Sequence, residues 1–229
     1  MPLFLTMSGK TNTVRDSAAI PPPAGLDRRA ARRAATRQEI VDAAWQIARE
    51  NGLSGLSMRD LGDRVGMRAQ SVYSYFASKD DIYDAMFRQG YEAFIAWMDV
   101  DGEQPATDVR EATRFFAHRF FDFCTSDPVR YQLLFLRTIP GFEPSPESYQ
   151  VAVRALDDMQ RTLTRLGVTD PDSADLATAV LTGLTSQQIA NDPGGDRWER
   201  LVDRAADMVL AEVAPHLLMP HRPTTRTSA

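Results

Sequence analysis

Cysteine is nearly absent from this chain of 229 residues: Cys124 stands alone. One thiol excludes an internal disulfide framework and fits a reducing, cytoplasmic compartment. Histidine is also scarce, and no other histidine lies at metal-ligand spacing from His118. There is no Gly-rich phosphate loop and no G-x-S-x-G elbow, so the usual phosphate-binding and acyl-transfer signatures are missing. Unbroken apolar runs are far too short to span a bilayer, so no membrane partner is expected. The opening Met1-Pro2-Leu3-Phe4-Leu5-Thr6 lacks the basic and long apolar regions of a signal peptide. Met1 and Met7 are alternative starts. No stretch alternates as a convincing strand, and the expected fold class is all-α.

What the chain does carry is an uneven charge. Its net charge is −5, which looks wrong for a nucleic-acid binder until it is divided. Residues 28–80 carry a net +4, residues 81–229 a net −9, and residues 1–27 balance. A basic module on an acidic body follows from that split. Residues 1–27, with Pro21-Pro22-Pro23 and no periodicity, read as a disordered tail, and residues 216–229 as a flexible one. Arg28-Arg29-Ala30-Ala31-Arg32-Arg33-Ala34-Ala35 either extends the first helix or forms a basic arm beside it, suited to phosphate contact.

Thr36-Arg37-Gln38-Glu39 has the form of a capping box, with Thr36 starting a helix. Ile40, Ala43, Ala44, Ile47 and Ala48 then make one apolar face, and Gly52 suits the left-handed position that ends it. Ser57 caps a second helix, with Asp60 at its third position. Met58, Leu61 and Val65 form the buried side of that helix. After Gly66 comes a helix of about two turns that buries Val72 and Phe76. Two short helices joined by a glycine-containing turn make a helix-turn-helix unit, whose second helix enters the DNA major groove. At its N-terminal end, Arg68, Ala69, Gln70 and Ser71 are placed to meet base edges. Gln pairs with adenine, Arg with guanine or phosphate, and Ala packs on a thymine methyl.

These residues also carry a resemblance. The helix from Thr36 to Asn51, Gly52, Ser57-Met58-Arg59-Asp60-Leu61, Gly66, Val72-Tyr73, Phe76 and Ser78-Lys79 together resemble the DNA-binding domain of the TetR (tetracycline repressor) family of bacterial regulators. The resemblance covers about a quarter of the chain. It implies phosphate contacts from Ser57, Tyr73 and Lys79, with Tyr75 where the family often has a phosphate-contacting His. It also implies that Arg59 can reach a base. Two departures stand out. Arg68 occupies a position often held by a capping residue, and Ser74-Tyr75 replaces a commoner aromatic-His pair.

Ser78 and Asp81 cap a fourth helix whose face is marked by Ile82, Met86, Gly90, Ala93 and Trp97. The body continues as helices opened at Thr107 or Asp108, Asp127-Pro128, Ser145-Pro146, Asp170-Pro171, and Asp196 or Arg197. A proline in the first helical position costs no hydrogen bond, because its N–H would have been unpaired there. Phe115, Phe116, Phe120, Phe121 and Phe123, followed by Tyr131 and Phe135, form the densest aromatic cluster. Core packing explains any single ring. The resemblance implies in addition an apolar effector pocket, with Trp97, Phe116, Phe120, Phe123 and Tyr131 as candidate walls. His118 and Asp122 share a helical face, but Cys124 points elsewhere and no nucleophile is apparent. A buried, satisfied His118, or one polar group in a ligand pocket, is the reading adopted.

The last two helices carry apolar stripes, Leu176, Ala179, Val180, Gly183 and Leu184, then Trp198, Leu201, Val202, Ala205, Val209 and Val213. By the resemblance these pair with their copies in a homodimer. The expectation is an all-α regulator without metal or cofactor: a DNA-binding domain at residues 28–80 and an effector-binding and dimerisation domain at 81–215. It would bind a double-stranded palindromic operator and act as a repressor released by a small, largely apolar effector. An activator or ligand-blind regulator of the same fold is the alternative, and a helical enzyme or sequestering protein is the alternative from another class.

Overall fold

The computed structural model of the chain describes residues 24–99, 108–165, 167–170 and 172–218. The tails expected at 1–27 and 216–229 lie mostly outside these residues, as do Thr107 and Pro171. The chain divides into two units between Thr36 and Arg37. The first contributes the N-terminal part of α1 (Ala24–Asn51), where Arg28, Arg29, Arg32 and Arg33 are exposed. No strand occurs among the described residues.

Thr36 does not start a helix. It lies inside α1, because the alanines and arginines before it are strong helix formers, and a cap requires the preceding chain to leave the helix. Gly52 ends α1 where expected, but with φ 75° and ψ 164° it is extended at positive φ, a conformation open to glycine, rather than left-handed helical. Ile40, Ala44, Ile47 and Ala48 are almost fully buried.

A 3-10 turn, Leu53–Gly55, leads to α2 (Met58–Arg64). The Ser57 hydroxyl oxygen accepts the Asp60 N–H at 3.1 Å and donates to the Asp60 carboxylate at 2.6 Å, so the side chain of Asp60 secures the cap. Gly66, at φ 68°, turns the chain into α3 (Ala69–Tyr73). Gly62 sets how closely the two helices approach. A Cβ there would lie 2.6 Å from the Met67 carbonyl oxygen and 3.0 Å from the Ala69 nitrogen. α3 has five residues rather than two full turns, and Arg68 at its N-cap makes no side-chain capping bond. Ser78 and Asp81 close the expected capping box on α4 (Lys79–Met98), with both bonds at 3.1 Å.

The α4 stripe needs correction beyond Gly90. Ile82, Tyr83 and Met86 are fully buried in the core shared by α1, α2 and α3. Ala93 and Trp97 instead face solvent, and the buried face continues through Phe87, Tyr91 and Phe94. The helix passes from one core into another, so its buried side changes along its length.

The body is built from α5 (Val109–Ser126), α6 (Pro128–Phe135), α7 (Pro146–Arg165), α8 (Asp172–Asn191) and α9 (Val202–Val213). Asp108 caps α5 through the Arg110 N–H at 2.7 Å, and Asp127 caps α6 through the Arg130 N–H at 3.1 Å. Ser145 caps α7 and is itself held by Asp84 of α4, whose carboxylate also accepts from the Ser148 hydroxyl at 2.7 Å. α9 starts later than Asp196 or Arg197. The Gln188 amide oxygen accepts the Trp198 N–H at 2.9 Å, and Asp192 accepts that of Arg197 at 2.9 Å. These bonds hold the chain in turns until the 3-10 segment Glu199–Leu201.

α9 packs on α5. Val202 and Ala206 meet Ala117 and Phe121, and Asp207 pairs with Arg114 at 2.7 Å and Arg110 at 3.2 Å. The hydrogen bond from Arg114 holds the Asp207 carboxyl below its ordinary range. His118 is half-exposed rather than buried, and its Nε2 lies 3.0 Å from Asp203. Asp122 points into solvent and does not meet it.

Asp127 joins α1 to α6. It caps α6 with one carboxylate oxygen, while the other receives Arg49 Nη2 of α1 at 2.7 Å. Its side chain is mostly buried, so removing it leaves a cap unmade and a guanidinium unpaired. Asp127→Ala is expected to lower stability by about 1–2 kcal/mol, measured by urea denaturation. An unchanged midpoint would show that water replaces both contacts without cost.

Candidate nucleic-acid interface and body cleft

On α3, burial of Val72 directs the neighbouring side chains outward. Arg68, Gln70, Ser71 and Tyr73 are exposed, Tyr73 by 47%, and Ala69 is partly buried. Tyr75 packs partly against the core beneath. The N-termini of α2 and α4 flank this helix in the chain. Ser57 is partly buried in its cap, and Arg59 is exposed with its Nε 4.0 Å from Asp63. That ion pair is almost wholly solvated, so it holds Arg59 weakly. Lys79 is exposed, with its Nζ 5.6 Å from the centre of the Tyr83 ring.

Two contacts brace this head from behind. The Tyr83 hydroxyl donates to the Leu53 carbonyl at 2.5 Å, and Trp45 Nε1 donates to Gln89 at 2.6 Å. At the surface, Arg64 bonds Glu50 at 2.6 Å and holds that carboxyl below its ordinary range. These contacts tie α1, the turn after it, α2 and α4 together around the core on which α3 sits.

In the body, Phe120, Phe123 and Tyr131 are brought together in one buried cluster with Phe87, Cys124 and Leu134. Trp97 and Phe116 lie outside it. Trp97 is 43% exposed, with its indole donating to the Arg119 carbonyl at 2.9 Å and the Arg119 guanidinium 4.9 Å above the ring. Phe116 is half-buried and meets Phe115 edge-on at 5.6 Å.

The rings at the centre are Phe94 and Phe135. Phe94 lies 5.1 Å from Phe123, 6.1 Å from Phe120 and 5.5 Å from Phe135. Phe135 lies 5.3 Å from Phe120 and 5.8 Å from Tyr131. All but the tilted Tyr131–Phe135 pair meet edge-to-face, a favourable geometry that fills the space. The spacing of Phe87, Tyr91 and Phe94 along α4 is the sequence signal that marks this face. Burial pushes the Tyr91 phenol and the Cys124 thiol up, so neither ionises near neutrality. The Tyr131 hydroxyl lies 2.6 Å from that of Ser186 on α8 and donates to the Thr182 carbonyl at 3.0 Å.

Open space lies at the edge of this cluster. A cleft of about 370 Å³ is bounded by Phe87 and Tyr91 of α4, the end of α6, Phe142 of the following loop and Tyr149 of α7. At its rim Arg137 and Glu143 pair at 2.7 Å, both well exposed. Phe142 packs against both the head core and the aromatic cluster, and its ring lies 5.6 Å from that of Tyr83. None of the five residues first considered as pocket walls borders the cleft. No helix among the described residues is long and apolar enough to cross a membrane.

Residues 40–86 match the model of the bacterial regulatory proteins, tetR family. The chain is 26% identical over 143 residues to the HTH-type transcriptional repressor Rv1353c of Mycobacterium tuberculosis, covering 62% of this chain and 52% of that one. It is 29% identical over 115 residues to the HTH-type transcriptional activator FasR of Mycolicibacterium smegmatis, covering 49% and 52%. The chain thus spans about half the length of the curated relatives it matches. In fold it is similar to the transcriptional regulator FadR of Bacillus subtilis, solved in complex with stearoyl-CoA. That likeness has a TM-score of 0.60 at 18% identity and covers 76% of this chain and 97% of that one. The family match falls on the same residues as the capped α2, the Gly66 turn, the exposed α3 and the start of α4, and over this segment the chain matches the tetR family of bacterial regulatory proteins.

Proposed function

We propose that the protein is a cytoplasmic DNA-binding transcriptional regulator, a repressor released from its operator by a small molecule. The observation that carries the reading is the exposed set Arg68, Gln70, Ser71 and Tyr73 on a short helix fixed over a buried core. Ala69, between them, would meet a thymine methyl in this reading. Ser57, Tyr73, Tyr75 and Lys79 would hold phosphates, and Arg59 would reach a base. Residues 28–80 form the reading domain in this proposal, and residues 81–215 the effector-binding and dimerisation body. The relatives named above include both a repressor and an activator. Repression is preferred because it needs only occupancy of the operator. Enzymatic chemistry is disfavoured, since the described residues place only Asp203 in hydrogen-bond contact with the His118 ring and no nucleophile.

A single head of five helical residues makes few base contacts, and two-fold pairing doubles them. The dimer surface proposed is on α8, where Leu176, Ala179 and Gly183 are exposed, together with Met208 of α9. Val202, Ala205 and Val209 of α9 are buried within the chain itself, where α9 packs on both α5 and α8.

The effector is proposed to enter the cleft beside Phe142 and to reach Phe120, Phe123 and Tyr131 by displacing rings of the cluster. Trp97 and Phe116 would act only at its margin. An occupant that pushed on Phe142 would act on Tyr83 and so on the base of the head. Only an effector that prefers one of two geometries can shift the equilibrium between them.

Lys79→Ala is expected to weaken binding to every duplex by a similar factor and to reduce the magnitude of the salt slope by about one. Gln70→Ala should instead relax base preference at one position per half-site, at a cost of about 1–3 kcal/mol. Selection from randomised duplexes, followed by titration at several salt concentrations, separates the two. Altered sequence preference in Lys79→Ala, or unaltered preference in Gln70→Ala, would reverse the assignments.

Effector coupling is tested with a compound found by thermal-shift screening. It should lower operator affinity about five- to 150-fold, and operator DNA should lower the affinity for the compound by the same factor. Phe142→Ala is expected to reduce that factor more than it changes ligand-free DNA binding. A compound that binds tightly and leaves operator affinity unchanged would remove the effector reading while sparing the DNA-binding one.

A further inference from the structure

α3 is too short to hold its own conformation. Five residues form barely more than one turn, and isolated helices of this length are unstable in water. Its N-cap residue supplies no side-chain bond, so the usual fastening at that end is missing. Val72 is its fully buried anchor. Its N-terminal end also lies against α2 at Gly62. A short helix held only by that contact and one buried side chain can still rock at its C-terminal end, which would sweep Gln70 and Ser71 across the bases they are proposed to read.

A second fixed point lies just past its C-terminus. Phe76 is 1% exposed, and the guanidinium carbon of Arg37, near the middle of α1, lies 4.0 Å from the centre of its ring. Arg37 Nη1 also donates to the Tyr75 carbonyl. One planar group thus covers the aromatic anchor and satisfies a main-chain acceptor beside it. Lysine cannot reproduce this, because it has no flat face to stack and no rigid fork of donors.

We propose that Arg37 is a positioning residue for DNA reading: by stacking on Phe76 and bonding the Tyr75 carbonyl, it fixes α3 against α1 and so sets operator specificity without contacting DNA. The inference rests on the reading that α3 enters the major groove. Phosphate contacts lose affinity uniformly and alter the salt slope. A positioning residue should act on discrimination alone.

The test compares the full chain with Arg37→Ala, Arg37→Lys and Phe76→Leu. The probes are a duplex enriched by the wild type from a random library and a scrambled duplex of equal length. Both Arg37 variants should lose roughly tenfold in affinity for the enriched duplex, as for one mismatched base pair. Their affinity for the scrambled duplex and their salt slope should stay at wild-type values. Recovery by Arg37→Lys would mean a phosphate contact and overturn the proposal.

If Arg37→Ala does not fold, Arg37→Lys and Phe76→Leu carry the comparison. Each should show the same loss, and the double variant no further loss; additive losses would overturn the proposal. Hydrogen exchange on the DNA-free protein gives an independent readout. In Arg37→Lys the amides of residues 71–76 should exchange faster while those of α4 stay protected, and unchanged exchange would overturn the proposal. If the wild type enriches no duplex, the DNA-reading proposal fails, and the exchange measurement still decides whether Arg37 fixes α3.

Discussion

One helix belongs to two hydrophobic cores, and the remaining structure depends on that. The N-terminal half of α4 gives Ile82, Tyr83 and Met86 to the core beneath the reading helix. From the next residue on, Phe87, Tyr91 and Phe94 enter the aromatic cluster of the body. Close-packed interiors do not deform continuously, so displacing one end of such a helix requires repacking at the other. Polar contacts reinforce the arrangement at the same level of the fold. Asp84 secures the start of α7, Tyr83 bonds the start of the 3-10 turn after α1, and Arg49 pairs with the cap of α6.

The same arrangement bears on the cleft proposed for the effector. Its wall residue Phe142 touches both cores, whereas the aromatic rings behind it already fill their own space. A small molecule at the cleft would not need to open the protein to be felt by the head. It would need only to favour one placement of a loop ring that rests on Tyr83.

Helix starts were legible in the sequence wherever the cap was local. Ser57, Ser78, Asp108, Asp127 and Ser145 each bond the backbone two or three residues on. Thr36 carried the same pattern and misled, because the alanine-rich turn before it was already helical. The start of α9 was hidden, since Gln188, ten residues away in the chain, holds the backbone in turns. Solvent-facing positions on α3 could be read from the burial of Val72 and Phe76. The close approach at Gly62 and the stack of Arg37 could not, because both arise from neighbours that only the folded chain brings near. Among the aromatics, α5 carries rings on several faces, and only packing shows that Phe120 and Phe123 turn inward while Phe116 does not. An apolar stripe on α9 looked the same whether its partner was α5 or another chain.

Leu133 gives these observations a consequence for modularity. It lies on α6, far along the chain, yet it is buried in the same core as α1, α2 and α3. The reading domain is therefore not closed by its own sequence. A chimera that transplanted it onto the body of a relative would import a core lacking one wall, and the new body would have to offer an apolar side chain of matching shape at that place. Exchange of heads among related regulators, by recombination or by design, is thereby limited to bodies that can complete the core.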